Sequence, residues 1–89
     1  MARLIHPDGI EEIVHPEAGT TFSLEELQRF VGGYIERVPT PAVRGIDCVV
    51  DEEGLMKQLP MNMKASAIVG GGQMVVGSMV VLSGKERLV

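Results

Sequence analysis

Thr21–Glu36 reads T-F-S-L-E-E-L-Q-R-F-V-G-G-Y-I-E, and it spells a helix start, a helix stop and the strand that follows. Ser23 has the chemistry of an N-cap: its hydroxyl can accept from the backbone N–H of Glu26. Glu26 can reach back to the N–H of Ser23, which completes a capping box, and Phe22 with Leu27 fits the hydrophobic staple. Glu25 and Glu26 suit the positive end of the helix dipole. Leu24, Leu27 and Val31 share one apolar face, while Glu25, Gln28 and Arg29 fall on the wet side. Gly32 stands just past Val31, where a left-handed residue closes a helix. A helix of this length needs tertiary packing to persist.

Toward the N-terminus, Ala2–His6 and Ile10–Val14 read as two strands joined by the turn residues His6-Pro7-Asp8-Gly9. Pairing Ile5 with Ile10 places Arg3 opposite Glu12, a favourable cross-strand pair. His15–Thr21 is a polar connection. Beyond Gly33, Tyr34–Val38 is a strand by its β-branched and aromatic content, and Pro39-Thr40-Pro41 ends it. Ile46–Val50 is the next strand, followed by the turn Asp51-Glu52-Glu53-Gly54. Leu55–Leu59 reads as a short strand or an irregular return, stopped by Pro60. Asn62 caps a second helix over Met63–Val69 with Gly70 as its stop, and Met63, Ala67 and Ile68 are its core-facing candidates. The late run M-V-V-G-S-M-V-V-L is apolar at nearly every position, so that strand should be buried on both faces, by the core and by another layer or subunit. Gly77 within it marks a bulge or a close backbone approach. These elements predict an α+β domain spanning 1–89. It should be a small, mostly antiparallel sheet with one well-capped helix and one shorter helix packed on a face.

The chain has 89 residues, 45% of them apolar and 22% charged, the balance of a globular domain. Phe22, Phe30 and Tyr34 are the aromatics, so the core must be aliphatic with help from methionine. A small aliphatic core and an all-apolar strand together predict a homodimer or larger assembly. The formal net charge is −4 and basic residues are scattered, which makes nucleic acid an unfavoured partner. Cys48 sits in an apolar run and reads as a small buried hydrophobe; a lone thiol implies no oxidising compartment. The apolar stretches are too short for a signal peptide or a membrane span, and the expected location is the cytoplasm.

Candidate sites are weak by this reading. Gly32-Gly33 and Gly70-Gly71-Gly72 follow helices, whereas phosphate loops precede them. Asp47, Asp51, Glu52 and Glu53 lack the alternating spacing of a calcium loop and read as a solvated turn. His6, His15 and Cys48 are too dispersed for a zinc site. Ser23, Ser66, Ser78 and Ser83 lie in no nucleophile elbow. No catalytic, cofactor-binding or metal-binding residue is assigned, no cofactor is expected, and the chain is expected not to be an enzyme.

F-S-L-E-E-L-Q-R-F-V-G-G-Y-I-E-R-V-P, then V-V-D-E-E-G-L-M-K-Q-L-P-M-N, then V-V-G-S-M-V-V-L, taken as an ordered set, resemble the domain of unknown function 3846 family. These are small proteins of bacteria, phages and other mobile elements. The resemblance covers nearly the whole chain. Two positions depart from the family pattern: Asp51 stands where Asn is usual, and Ser78 where Asp follows Gly77. The resemblance implies a phage or mobile-element accessory protein and transfers no activity. The leading expectation is a small cytoplasmic binding or interaction module without catalysis. Its partners would be a second copy of itself and another protein. The alternative is an oligomer binding a small ligand or nucleotide in a cleft near Tyr34, Glu36 and Arg37, which form the candidate ligand or partner surface.

Overall fold

A computed structural model of the chain describes residues 1–41 and 43–88. Five strands, β1 (Ala2–Ile5), β2 (Glu11–Val14), β3 (Ile35–Val38), β4 (Ile46–Asp51) and β5 (Met79–Ser83), form one sheet in the order β2-β1-β5-β4-β3. Every pairing is antiparallel. Two helices, α1 (Leu24–Val31) and α2 (Met63–Val69), complete the α+β fold.

The helices cover opposite faces of the sheet. Leu27 and Val31 of α1 pack with Ala2, Leu4, Val49, Val80 and Leu82. Ala65 and Val69 of α2 pack with Ile5, Cys48, Val50, Val75, Met79 and Val81. Successive residues of a strand point to opposite faces, so central β5 has both faces covered within one chain. Its second layer is therefore α2, and its apolar run gives no argument for a partner subunit. Leu27 is 1% exposed, and burying a leucine to that degree stabilises by about 2 kcal/mol.

The predicted cap of α1 is present. Glu26 N–H donates to Ser23 Oγ at 3.1 Å, and Ser23 N–H donates to Glu26 Oε1 at 2.9 Å. Glu26 also accepts from Glu17 N–H at 2.9 Å, which ties down the preceding loop. These backbone donors, that of Ser23 foremost, hold the Glu26 carboxyl below its ordinary value. Phe22 stacks edge-on against Phe30, centroids 6.0 Å apart. Leu24, placed on the apolar face by its spacing, is 57% exposed.

Several local expectations are corrected. Ile5 pairs with Glu11 and Arg3 with Ile13, one residue away from the expected register. The connection runs through five residues, His6 to Ile10, closed by His6 N–H donating to Ile10 O at 2.9 Å. Arg3 instead reaches Glu11 at 2.8 Å, and Lys64 of α2 joins the same carboxylate at 2.9 Å. Of the two alternatives for Leu55–Leu59 the irregular return holds: the segment forms turns and no strand. In α2 the buried residues are Ala65 and Val69, while Met63 is 74% exposed and Ala67 is also exposed. The pair that faces Ile5 and Met79 is Ala65 and Val69, with the same four-residue spacing as Met63 and Ala67 but on another face of the helix.

Candidate functional site

The position of β3 is set by the end of α1. Gly32 adopts φ +91° and donates its N–H to Gln28 O at 2.8 Å, the left-handed stop that its sequence position predicts. One residue on, a Cβ on Gly33 would lie 2.7 Å from Lys57 Nζ and 3.0 Å from both carboxylate oxygens of Asp51. Lys57 Nζ donates to Asp51 Oδ2 at 2.7 Å and to Gly32 O at 3.2 Å. The ammonium thus also sits at the negative end of the α1 dipole. Asp51 additionally accepts from Glu53 N–H at 2.8 Å. Burial pushes its carboxyl up, but Lys57 and the Glu53 amide outweigh burial and hold it below its usual value. The hydrogen bond to Asp51 raises Lys57. Asp47 is also buried: Arg87 reaches it twice at 3.3 Å and Leu88 N–H at 2.9 Å. Asp51 opens the expected turn, Gly54 N–H donating to its O at 3.1 Å, but its side chain and that of Asp47 are buried, and of the acidic run only Glu52 is exposed.

Beside β3, on the α2 side of the sheet, lies a cleft of about 260 Å³. Val38, Val50, Val75 and Val76 line it, and Leu55 and Met74 rise at its rim. These two rim side chains are 78% and 66% exposed. Gln73 closes one end by donating to Pro39 O at 2.8 Å. Glu36 and Glu52 also line the cleft, and among the described residues neither has a salt-bridge partner.

Of the three residues singled out from sequence, Glu36 and Arg37 border this cleft. Arg37 sends its guanidinium to the opposite face, 3.9 Å from Asp47. Tyr34, 67% exposed, stands apart over a shallow hollow with Gln28, Arg29, Glu53 and Lys57. Leu55 and Met74 were missed by sequence reasoning, because an apolar letter alone does not tell core from rim.

Elsewhere, Ser78 Oγ lies 3.5 Å from His6 Nδ1, and His6 Nε2 lies 2.5 Å from Glu12. The order resembles a serine–histidine–acid relay. At 3.5 Å the serine contact is weak, and the nearby Gly77 N–H donates inward to Pro60 O at 2.8 Å, away from any oxyanion at Ser78. Burial and the Asp47 charge push the Cys48 thiol up to about 11, far from a reactive thiolate. No cluster of three metal-ligating side chains occurs among the described residues. Among the described residues, no helix is long and apolar enough to cross a membrane.

The sequence model of one family, Domain of unknown function (DUF3846), matches residues 2–88. The chain belongs to this family. In this DUF3846 chain the characteristic stretches meet in space. V-G-G-Y-I-E and D-E-E-G-L-M-K join at Gly32, Asp51 and Lys57. L-P-M-N and V-V-G-S join at Asn62, whose Nδ2 donates to Gly77 O at 2.9 Å. No curated protein and no solved structure matches the chain, so the family description, which assigns no function, stands alone.

Proposed function

We propose that this DUF3846 chain is a small binding module that engages a protein partner through the cleft beside β3, without catalysis. The observation that carries the reading is the rim: Leu55 and Met74 hold large apolar side chains in solvent at the mouth of a valine-lined cleft. Apolar groups grouped in this way mark interaction surfaces more than scattered ones do. The carboxylates of Glu36 and Glu52 add polar recognition at the same place. The reading places the module in the cytoplasm, and its phage or mobile-element setting rests on the family resemblance alone.

The nucleotide alternative fits this cleft poorly. Two carboxylates without a salt-bridge partner among the described residues repel phosphate, and about 260 Å³ is below the roughly 300–1,000 Å³ of common small-ligand sites. Self-association keeps the exposed apolar residues as its support and loses the argument from β5.

The test is selection from a library of random displayed peptides on immobilised wild-type chain, with counter-selection on a Leu55→Glu, Met74→Glu double variant. Peptides that need the intact rim are the expected result. A library that yields none, beside a metabolite screen that stabilises the fold, would replace this reading with the small-ligand one.

A further inference from the structure

β3 is the last strand of the sheet, and its outer edge has no neighbour among the described residues. Which backbone groups face outward follows from one bond. Glu52 N–H donates to Tyr34 O at 2.8 Å, and these residues oppose each other in the register that pairs Ile35 with Asp51. In an antiparallel ladder, hydrogen-bonded and non-bonded pairs alternate. Tyr34, Glu36 and Val38 therefore spend their backbone groups on β4. The N–H and C=O groups of Ile35 and Arg37 point away from the sheet.

The same alternation sorts the side chains. Val38 packs with the α2-side cluster, so Glu36, two residues before it, faces that side as well. A strand added outside β3 would lie about 4.8 Å away, with every second side chain beside the cleft. The residue opposite Val38 would meet Met74 and the valine wall. Two positions along, the residue opposite Glu36 would meet the Glu36 carboxylate, which has no salt-bridge partner among the described residues.

We infer that the free edge of β3 takes up an extended segment of a partner protein as a sixth strand, which carries an apolar side chain beside Val38 and, two residues away, a lysine or arginine beside Glu36. This rests on the binding-module reading and adds to it the partner's conformation and chemistry. Main-chain bonds give such a contact its affinity and alternate side chains its specificity. The edge is short, charged at Glu36 and Arg37, and followed by Pro39. These features discourage indiscriminate pairing and leave the edge to a segment whose charge matches. A second copy pairing in the register that bonds Ile35 to Arg37 would set Glu36 against Glu36, a repulsive cross-strand pair. The opposite edge, β2, has its carboxylates occupied: Glu11 by Arg3 and Lys64, Glu12 by His6.

Peptides from the library selection test this with isotope-labelled wild-type chain. Enriched peptides should share an apolar residue and a lysine or arginine spaced by one residue. Their binding should slow amide hydrogen exchange at Ile35 and Arg37, whose amides are free, and leave Glu36 and Val38, already bonded to β4, nearly unchanged. Glu36→Lys, at an exposed position, should weaken these peptides by about tenfold, as expected when an attractive cross-strand pair becomes repulsive. Shifts at Val75 and Met74 without protection of Ile35 and Arg37 would overturn strand addition and keep the binding module. Protection that grows with protein concentration and needs no peptide would make the occupant a second copy and overturn the inference. A library that yields no rim-dependent peptide would overturn both.

Discussion

Lys57 Nζ sits 2.7 Å from the Asp51 carboxylate, and the Asp51 side chain is 1% exposed while that of Lys57 is 38% exposed. A buried acid is thus held by a base that reaches in from the surface. Asp47 repeats the arrangement with Arg87, their side chains 5% and 45% exposed. In both, burial raises the carboxyl and the basic partner with a backbone N–H lowers it further, so the folded-state value lies below the ordinary one. The unfolded chain then binds more protons as pH falls. The stability these groups contribute is complete above the unfolded value of about 3.9 and is lost as pH drops through the folded values. Thermal melts should give a Tm that is flat above about pH 5 and declines below it. Asp51→Asn should make that decline shallower, and an unchanged slope would remove Asp51 from the account.

Gly33 is required by this pair and not by its own backbone. A Cβ there would press on both Asp51 oxygens at 3.0 Å and on Lys57 Nζ at 2.7 Å. The lysine tip can swing away, but the buried carboxylate has little room. Gly33→Ala should destabilise by about 1–3 kcal/mol, the range for an overpacked site. Combining it with Lys57→Met should give less than the sum of the two single losses, since both act on one contact. Chemical denaturation of the four proteins measures this, and strict additivity would refute the coupling.

Asn62 does two jobs that one substitution separates. Its Oδ1 accepts from Ala65 N–H at 3.0 Å as the cap of α2, and its Nδ2 donates to Ile5 O and Gly77 O, each at 2.9 Å. The residue is 0% exposed. Aspartate caps helices as well as asparagine does, so a role limited to capping would make Asn62→Asp nearly neutral. Here aspartate would turn a carboxylate oxygen toward two buried carbonyls that lose their donor. Asn62→Asp should cost about 3 kcal/mol or more, from unsatisfied buried acceptors and a desolvated charge. Denaturant titration at neutral pH reads the loss, and a cost below that of Asn62→Ala would refute the donor role.

Local chemistry carried far in this chain, and its failures share a cause. The α1 cap is legible because Ser23 and Glu26 need only each other. The cap of α2 is legible from Asn62 for the same reason, but its bonds to Ile5 and Gly77 cross 57 and 15 residues. Asp51 stands in an acidic run and so reads as solvated; the return of Lys57 onto Gly32 and the close approach of Gly33 cover it. The hairpin register slipped by one because turn residues fix a turn and leave the loop length open. The cleft was invisible except for Glu36 and Arg37, since its rim is assembled from Leu55 and Met74 of two separate connections.

Val80 decides between two accounts of the apolar run that contains it. Had that run formed a subunit interface, Val80→Asp would separate subunits and leave a folded monomer. Val80 is instead 0% exposed within a single chain, packed with Leu27, Val31 and Val49. An aspartate there would be a charge without a partner in an aliphatic core, one of the few changes that costs more than about 4 kcal/mol. That is a large share of the roughly 5–15 kcal/mol that holds a domain together. Val80→Asp should therefore lose its cooperative thermal transition at every protein concentration. Ile13→Asp, at a β2 position 56% exposed, should keep it. A Val80→Asp chain that melts cooperatively as a smaller species than wild type would restore the interface account.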